Sequence, residues 1–206
     1  MDFVLPKNCQ VEKFIPKNKF YTKTRISTKL KDEFTDSIAK IIWKYKLSPE
    51  TLSIPKTQRV SEIQIFEIQL KEKVIPKNVL QLIDRLIPYP ILYFFRYNDY
   101  FAYGIRLKDE LSKNYYFSEW NEVVEFNFNA IDLERVYHNI VSAFIKSVDT
   151  RKRDFKEIIE NDQQITILGK EIQTLKNKIK QEKQFNKKVE LNTLLQQKQK
   201  LLQNIR

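Results

Sequence analysis

Glycine is almost missing from this chain: its 206 residues contain two, Gly104 and Gly169. Loops that cradle phosphate need several glycines close together, because backbone N–H groups must approach the anion. Neither a P-loop nor a dinucleotide fingerprint can be written here. Histidine and cysteine each occur once, as His138 and Cys9. One cysteine forms no intrachain disulfide, which fits a reducing, cytoplasmic setting. A zinc site built from Cys9 and His138 would lack further soft ligands at signature spacings. A nucleophile–base pair would have to use His138, which falls just beside the apolar stripe of a helix. No cofactor and no metal are therefore expected. Long apolar runs are also absent. The densest stretch, near Ile91–Phe95, is far too short to span a bilayer. Residues Met1–Lys7 lack the basic region and apolar run of a signal peptide.

What is present is an apolar, aromatic body with basic ends. Apolar residues make up 42% of the chain, enough for a core, and aromatics nearly stop at Phe155, so the core belongs upstream of that residue. Formal charge is +5 over residues 1–30, −3 over 111–150 and +7 over 151–206. Basic ends suit nucleic acid, an anionic surface or an acidic protein. Solvated surface is the ordinary reading of such lysines. The candidate nucleic-acid contacts are Lys17, Lys19, Lys23, Arg25, Arg151, Lys152 and Arg153.

Residues 1–26 read as an irregular, proline-punctuated segment. Leu30, Phe34, Ile38, Ile41, Ile42 and Tyr45 recur at helical spacing, which predicts a helix over Ser27–Lys46, capped by Ser27 or Thr28. Val60–Lys71 alternates as a strand. A short helix follows around Val79–Leu86, stopped by Pro88. Ile91–Tyr97 and Phe101–Leu107, separated by Asn98-Asp99-Tyr100, read as a hairpin. Glu122–Phe128 predicts a further strand. Leu133, Val136, Tyr137, Ile140, Val141, Phe144, Ile145 and Val148 then follow a helical stripe. The expected architecture is one α/β domain, a mixed sheet with packed helices, over residues 27–149.

From residue 150 onward the composition changes to Lys, Gln, Glu and Asn. Ile158, Ile165, Ile172 and Ile179 fall every seven residues, with Leu168 and Leu175 between them, as in a coiled-coil seam. The seam breaks at Glu182 and Asn186 and resumes in a shifted register through Val189, Leu191, Leu195 and Leu202. A stutter in one helix or an antiparallel hairpin would each explain the shift. The lack of Gly and Pro in Gln184–Lys187 favours the continuous helix.

One polar constellation has catalytic overtones. Glu67, Gln69 and Lys71 share one face of the predicted strand, as a carboxylate and a lysine do beside the metal of restriction-type nucleases. Gln69 stands where that pattern has its lysine, and no Asp falls on an obvious preceding strand. The alternative is a half-exposed strand with a polar outer face. Tyr93, Phe94, Phe95, Tyr97, Tyr100, Phe101 and Tyr103 could stack bases, but strand-borne aromatics are more often core.

Several strings resemble a known family. They are Ile15-Pro16-Lys17-Asn18-Lys19-Phe20-Tyr21, Ile41-Ile42-Trp43-Lys44-Tyr45-Lys46-Leu47-Ser48-Pro49, Glu62–Ile68, Ile87–Leu92 and Glu182–Asn192. Together they resemble the bacterial domain of unknown function 4391 over nearly the whole chain. The resemblance carries no assigned chemistry. It implies a bacterial or mobile-element protein encoded beside DNA methylases and Snf2-type helicases in restriction or phage-defence clusters. Such subunits, or a second copy of the chain, are the implied partners. The expectation is an accessory subunit docking through its C-terminal seam. The alternatives are a metal-dependent nuclease using Glu67 and Lys71, and a nucleic-acid-binding adaptor using the basic ends.

Overall fold

A computed structural model describes residues 3–22, 24–108, 114–150 and 154–205. Lys23, Arg151, Lys152 and Arg153 lie outside the described residues. The chain divides into two units, 1–144 and 145–206.

The first unit is built on a six-stranded sheet whose spatial order follows the sequence. The strands are β1 (Gln10–Phe14), β2 (Ile38–Leu47), β3 (Ile63–Leu70), β4 (Ile91–Tyr97), β5 (Tyr100–Arg106) and β6 (Tyr115–Phe117). Neighbours are antiparallel except β3 and β4, which are parallel. A parallel pair needs a crossover, and α4 (Lys77–Leu86) supplies it. The other helices of this unit are α1 (Asn18–Tyr21), α2 (Thr28–Ser37), α3 (Pro49–Leu52) and α5 (Leu133–Ser142). The mixed α/β expectation holds.

Both faces of the sheet are covered. On one face Phe66, Ile68, Leu70, Tyr93 and Phe95 join Phe34 of α2 and Val79, Leu80 and Ile83 of α4 in a single cluster. On the other, the Phe3 ring packs against Tyr45, Phe94, Tyr103, Phe126 and Phe128. There α5 is tied to the end of β5, where the Tyr137 hydroxyl donates to the Arg106 carbonyl and accepts the Lys108 N–H. Burial on two sides makes β3 a central strand, with only Gln69 of its eight residues not fully buried.

Three expectations need correction. The helix predicted over Ser27–Lys46 ends at Ser37, and Ile38–Leu47 is strand β2. Ser27 does cap α2, its hydroxyl accepting the Leu30 N–H. The misreading has a physical source. β2 carries irregularities between Ile38 and Lys40 and between Trp43 and Tyr45. Each adds one residue and flips the side-chain parity. The buried positions of this strand, Ile38, Ile41, Tyr45 and Leu47, therefore show spacings of three and four that imitate a helix. Second, the segment before residue 27 is not wholly irregular. Gln10–Phe14 forms edge strand β1, and the Asn18–Tyr21 turn buries Phe20. Third, Glu122–Phe128 forms no strand. Its Phe126 and Phe128 rings pack on one another instead, and Phe126 reaches Phe144. The sixth strand is Tyr115–Phe117.

The second unit contains α6 (Phe155–Gln181) and α7 (Phe185–Ile205), which pack against each other as a helical hairpin. The favoured continuous helix is overturned at Glu182. Its backbone is extended (φ −70°, ψ 131°). One oxygen of its carboxylate accepts the N–H groups of Lys183 and Gln184, each at 2.8 Å. A side chain that satisfies orphan donors turns the chain here without glycine or proline. Among the described residues no helix is long and apolar enough to cross a membrane.

Candidate functional site

Glu67 sits in the middle of β3 and is only 4% exposed, so its face is not a solvated one. Burying a carboxylate requires partners. One oxygen accepts from Gln69 Nε2 at 2.8 Å. The other lies 3.7 Å from Lys44 Nζ, and Lys44 in turn lies 2.9 Å from Glu12. Burial alone would lower the Lys44 ammonium, but the hydrogen bond and charge of Glu12 and the charge of Glu67 outweigh it and raise the pKa. Lys44 is the residue skipped by the β2 irregularity before Tyr45, and Glu12 falls in the irregularity of β1 with a left-handed φ of 49°. Two bulges on adjacent strands thus set the Lys44 ammonium between the Glu12 carboxylate and the buried Glu67.

Lys71 is placed elsewhere. It is exposed just past the end of β3, its N–H bonded to the Ser37 carbonyl. Its charge is felt at Lys17, where burial first and Lys71 second lower the ammonium, against Asp36. Lys17 Nζ donates to the carbonyls of Ile38 and Thr35 at the end of α2, a capping role for a basic side chain. Lys19 and Arg25 are exposed. Among the described residues no group of three His, Cys, Asp or Glu side chains converges as a metal-binding cluster. The cation between Glu12 and Glu67 is the chain's own lysine.

A second buried acid went unnoticed in the sequence. Asp84 of α4 accepts from the Tyr93 hydroxyl at 3.0 Å and from the Tyr115 hydroxyl. Burial raises its pKa, while those two hydrogen bonds oppose the rise. Its signal was its spacing: Asp84 follows Leu80 by four residues and so lies on the buried stripe of an amphipathic helix. Nearby, Lys108 Nζ donates to the carbonyls of Ile87 (2.8 Å) and Tyr89 (2.5 Å), beyond the C-terminal end of α4. Burial brings its pKa down to about 8, against the pull of Asp84. Of the aromatic hairpin, Tyr93, Phe94, Phe95 and Tyr103 are core, while Tyr100 is exposed. Cys9 is buried, and burial pushes its thiol pKa up against the hydrogen bond to the Thr51 carbonyl.

In the hairpin, Ile158, Ile165, Leu168, Ile172 and Leu175 are buried. Ile179, Leu191, Leu195 and Leu202 are half-buried, and Val189 is exposed. Phe185, Leu194 and Leu201 also stand exposed on α7. The turn borders an open cleft of about 560 Å³ whose walls include Lys178, Glu182, Lys187, Leu191 and Leu194.

A mixed-sheet α/β unit followed by a helical hairpin is thus the class of protein defined. Residues 3–202 match the family described as a domain of unknown function (DUF4391), and the chain belongs to it. Neither the curated proteins nor the solved structures contain a match.

Proposed function

We propose that this chain is a non-catalytic accessory subunit of a cytoplasmic DNA-processing or phage-defence assembly, docking through its C-terminal helices. DNA methylase and Snf2-type helicase subunits are the partners this reading names. The observation that carries it is the unequal covering of the hairpin. α6 buries its heptad stripe, whereas α7 has no buried residue and leaves Val189, Leu194 and Leu201 exposed. Leu194 and Leu201, seven residues apart on a charged helix, suit a further helix in the manner of a coiled coil. The test is a chain ending at Asp149, compared with the full chain in co-purification from its native host. The reading expects the shortened chain to fold and to lose its partners. Retention of every partner by the shortened chain would sink it.

The nuclease reading is second. Its support is a carboxylate buried on a central strand beside a parallel crossover. Against it, Lys44 occupies the place where a metal ion would bridge Glu12 and Glu67, and Lys71 stands outside the constellation. Metal-dependent cleavage by the purified chain, abolished in Glu67→Ala, would establish it in place of the docking reading.

A further inference from the structure

The apex of the hairpin concentrates charge of one sign around one exposed ring. Residues 176–190 contain six lysines and two glutamates, a net of +4. One of the two acids, Glu182, is engaged with the N–H groups of Lys183 and Gln184, and those hydrogen bonds hold its carboxyl below the usual range. It spends its charge on the turn itself. Lys178, Lys180, Lys183, Lys187 and Lys188 are all exposed around the turn. Among them Phe185, the first residue of α7, is 78% exposed. A phenylalanine this exposed at a helical turn forgoes most of the burial that ordinarily stabilises such a side chain by about 2 kcal/mol. Lys183 and Lys187 each stand two residues from it in sequence, and the open cleft at the turn is walled in part by Lys178 and Lys187.

We propose that this apex is a contact site for single-stranded nucleic acid, with Phe185 stacking on an unpaired base and the surrounding lysines neutralising the adjacent phosphates. The chemistry follows from the composition. Cations track a phosphate backbone and release its counterions. An aromatic face takes any base and discriminates poorly among them. A single strand presents both groups without unstacking a duplex. The variants that test it leave Val189, Leu194 and Leu201 intact, so its failure and that of the docking reading are read separately.

The test titrates the full chain into a fluorescein-labelled mixed-sequence DNA strand of about 20 nucleotides, a length that exceeds common single-strand site sizes. Fluorescence anisotropy at several salt concentrations reads the affinity. The triple variant Lys183→Glu, Lys187→Glu, Lys188→Glu should bind at least about 10-fold more weakly, with a salt slope lower by about 2. Phe185→Ala should bind about 5-fold more weakly at an unchanged slope. Far-UV circular dichroism should match the parent for both, because every substituted side chain is exposed. Lys29→Glu with Lys31→Glu, on α2, should retain parental affinity. No binding by the parent overturns the proposal, as does equal loss in the α2 variant. Weakening by the triple variant with Phe185→Ala unaffected overturns the stacking and the single-strand assignment with it. Sedimentation of the chain with phosphatidylserine vesicles, without affinity for the strand, overturns it in favour of a membrane surface.

Discussion

Glu12 and Lys44 each occupy a bulge, on neighbouring strands, and their side chains meet at 2.9 Å. Bulges re-aim side chains at the expense of ladder hydrogen bonds. Here Lys44 pairs in turn with Glu67, which is almost wholly buried.

Lys44→Met removes the cation paired with Glu67 and keeps most of the side-chain volume. Unpairing a buried charge costs about 3–5 kcal/mol. Lys44 is 17% exposed, so some water already screens the pair, and about 2 kcal/mol is expected. Urea unfolding measures it. Adding Glu67→Gln to Lys44→Met should recover more than half of that loss, since an amide can remain buried uncharged. No recovery would mean that Lys44 acts through packing alone.

Gly104 faces Phe117 across the β5–β6 ladder. A Cβ built there would stand 2.6 Å from the Phe117 ring and 3.0 Å from that of Phe95. Gly104→Ala therefore overpacks this corner and should cost about 1–3 kcal/mol in thermal or urea unfolding. Phe117→Leu in the same chain should restore part of it. A neutral Gly104→Ala would show that β6 shifts freely.

Ile165 and Ile172 are buried on α6. Replacing both with Lys puts two charges into the covered stripe of the hairpin. The double variant should lose helicity, and limited proteolysis should cut α7 while the sheet unit survives. Unchanged proteolysis would show that α7 does not depend on this stripe.

Lys108 should leave a signature in the pH dependence of stability. Its folded pKa is lowered to about 8, chiefly by burial, from an ordinary 10.5. Above pH 8 the folded chain releases this proton while the unfolded chain keeps it. The unfolded state then binds more protons, so stability rises with pH from about 8 towards 10. Near pH 10 the tyrosines reverse the trend. Burial first, and Asp84 next, raise the Tyr93 hydroxyl, so the unfolded chain loses that proton earlier. Lys108→Met should flatten the rise between pH 8 and 9.5 in urea titrations. A parent whose stability falls over that interval would contradict the assignment.

Local pattern was a good guide wherever an element's burial followed its own period. α4 announced itself by an apolar stripe and a stop, and α5 by a stripe that runs on through Phe144, Ile145 and Val148 although the helix ends at Ser142; β4–β5 showed as two aromatic runs around Asn98, which takes the left-handed φ of 49° that asparagine tolerates. On α6 Ile158, Ile165, Leu168, Ile172 and Leu175 are buried as the seam pattern implied, while Ile159 is buried outside it and Ile179 is only half-buried. Glu67 and Gln69 were rightly placed on one side of a strand, but not the depth of that side. That side is covered by groups distant in sequence, among them Phe3, which packs on Phe94 and Tyr103.

The sequence by itself determined that the chain has one apolar α/β body, no phosphate-cradling loop and a basic helical tail, because these follow from composition and short-range periodicity. Tertiary structure alone decided that Ile38–Leu47 is a strand, that the tail folds back at Glu182, and that Lys44 rather than Lys71 neutralises Glu67. Each of those outcomes turns on a pairing between segments: β2 with β3 through two bulges, α7 with α6, and Glu12 with Lys44 across a strand edge. A bulge changes side-chain parity without changing composition, and a helix partner is supplied from many residues away. The first leaves a misleading helix-like spacing in the segment it governs, and the second only a shift of heptad register.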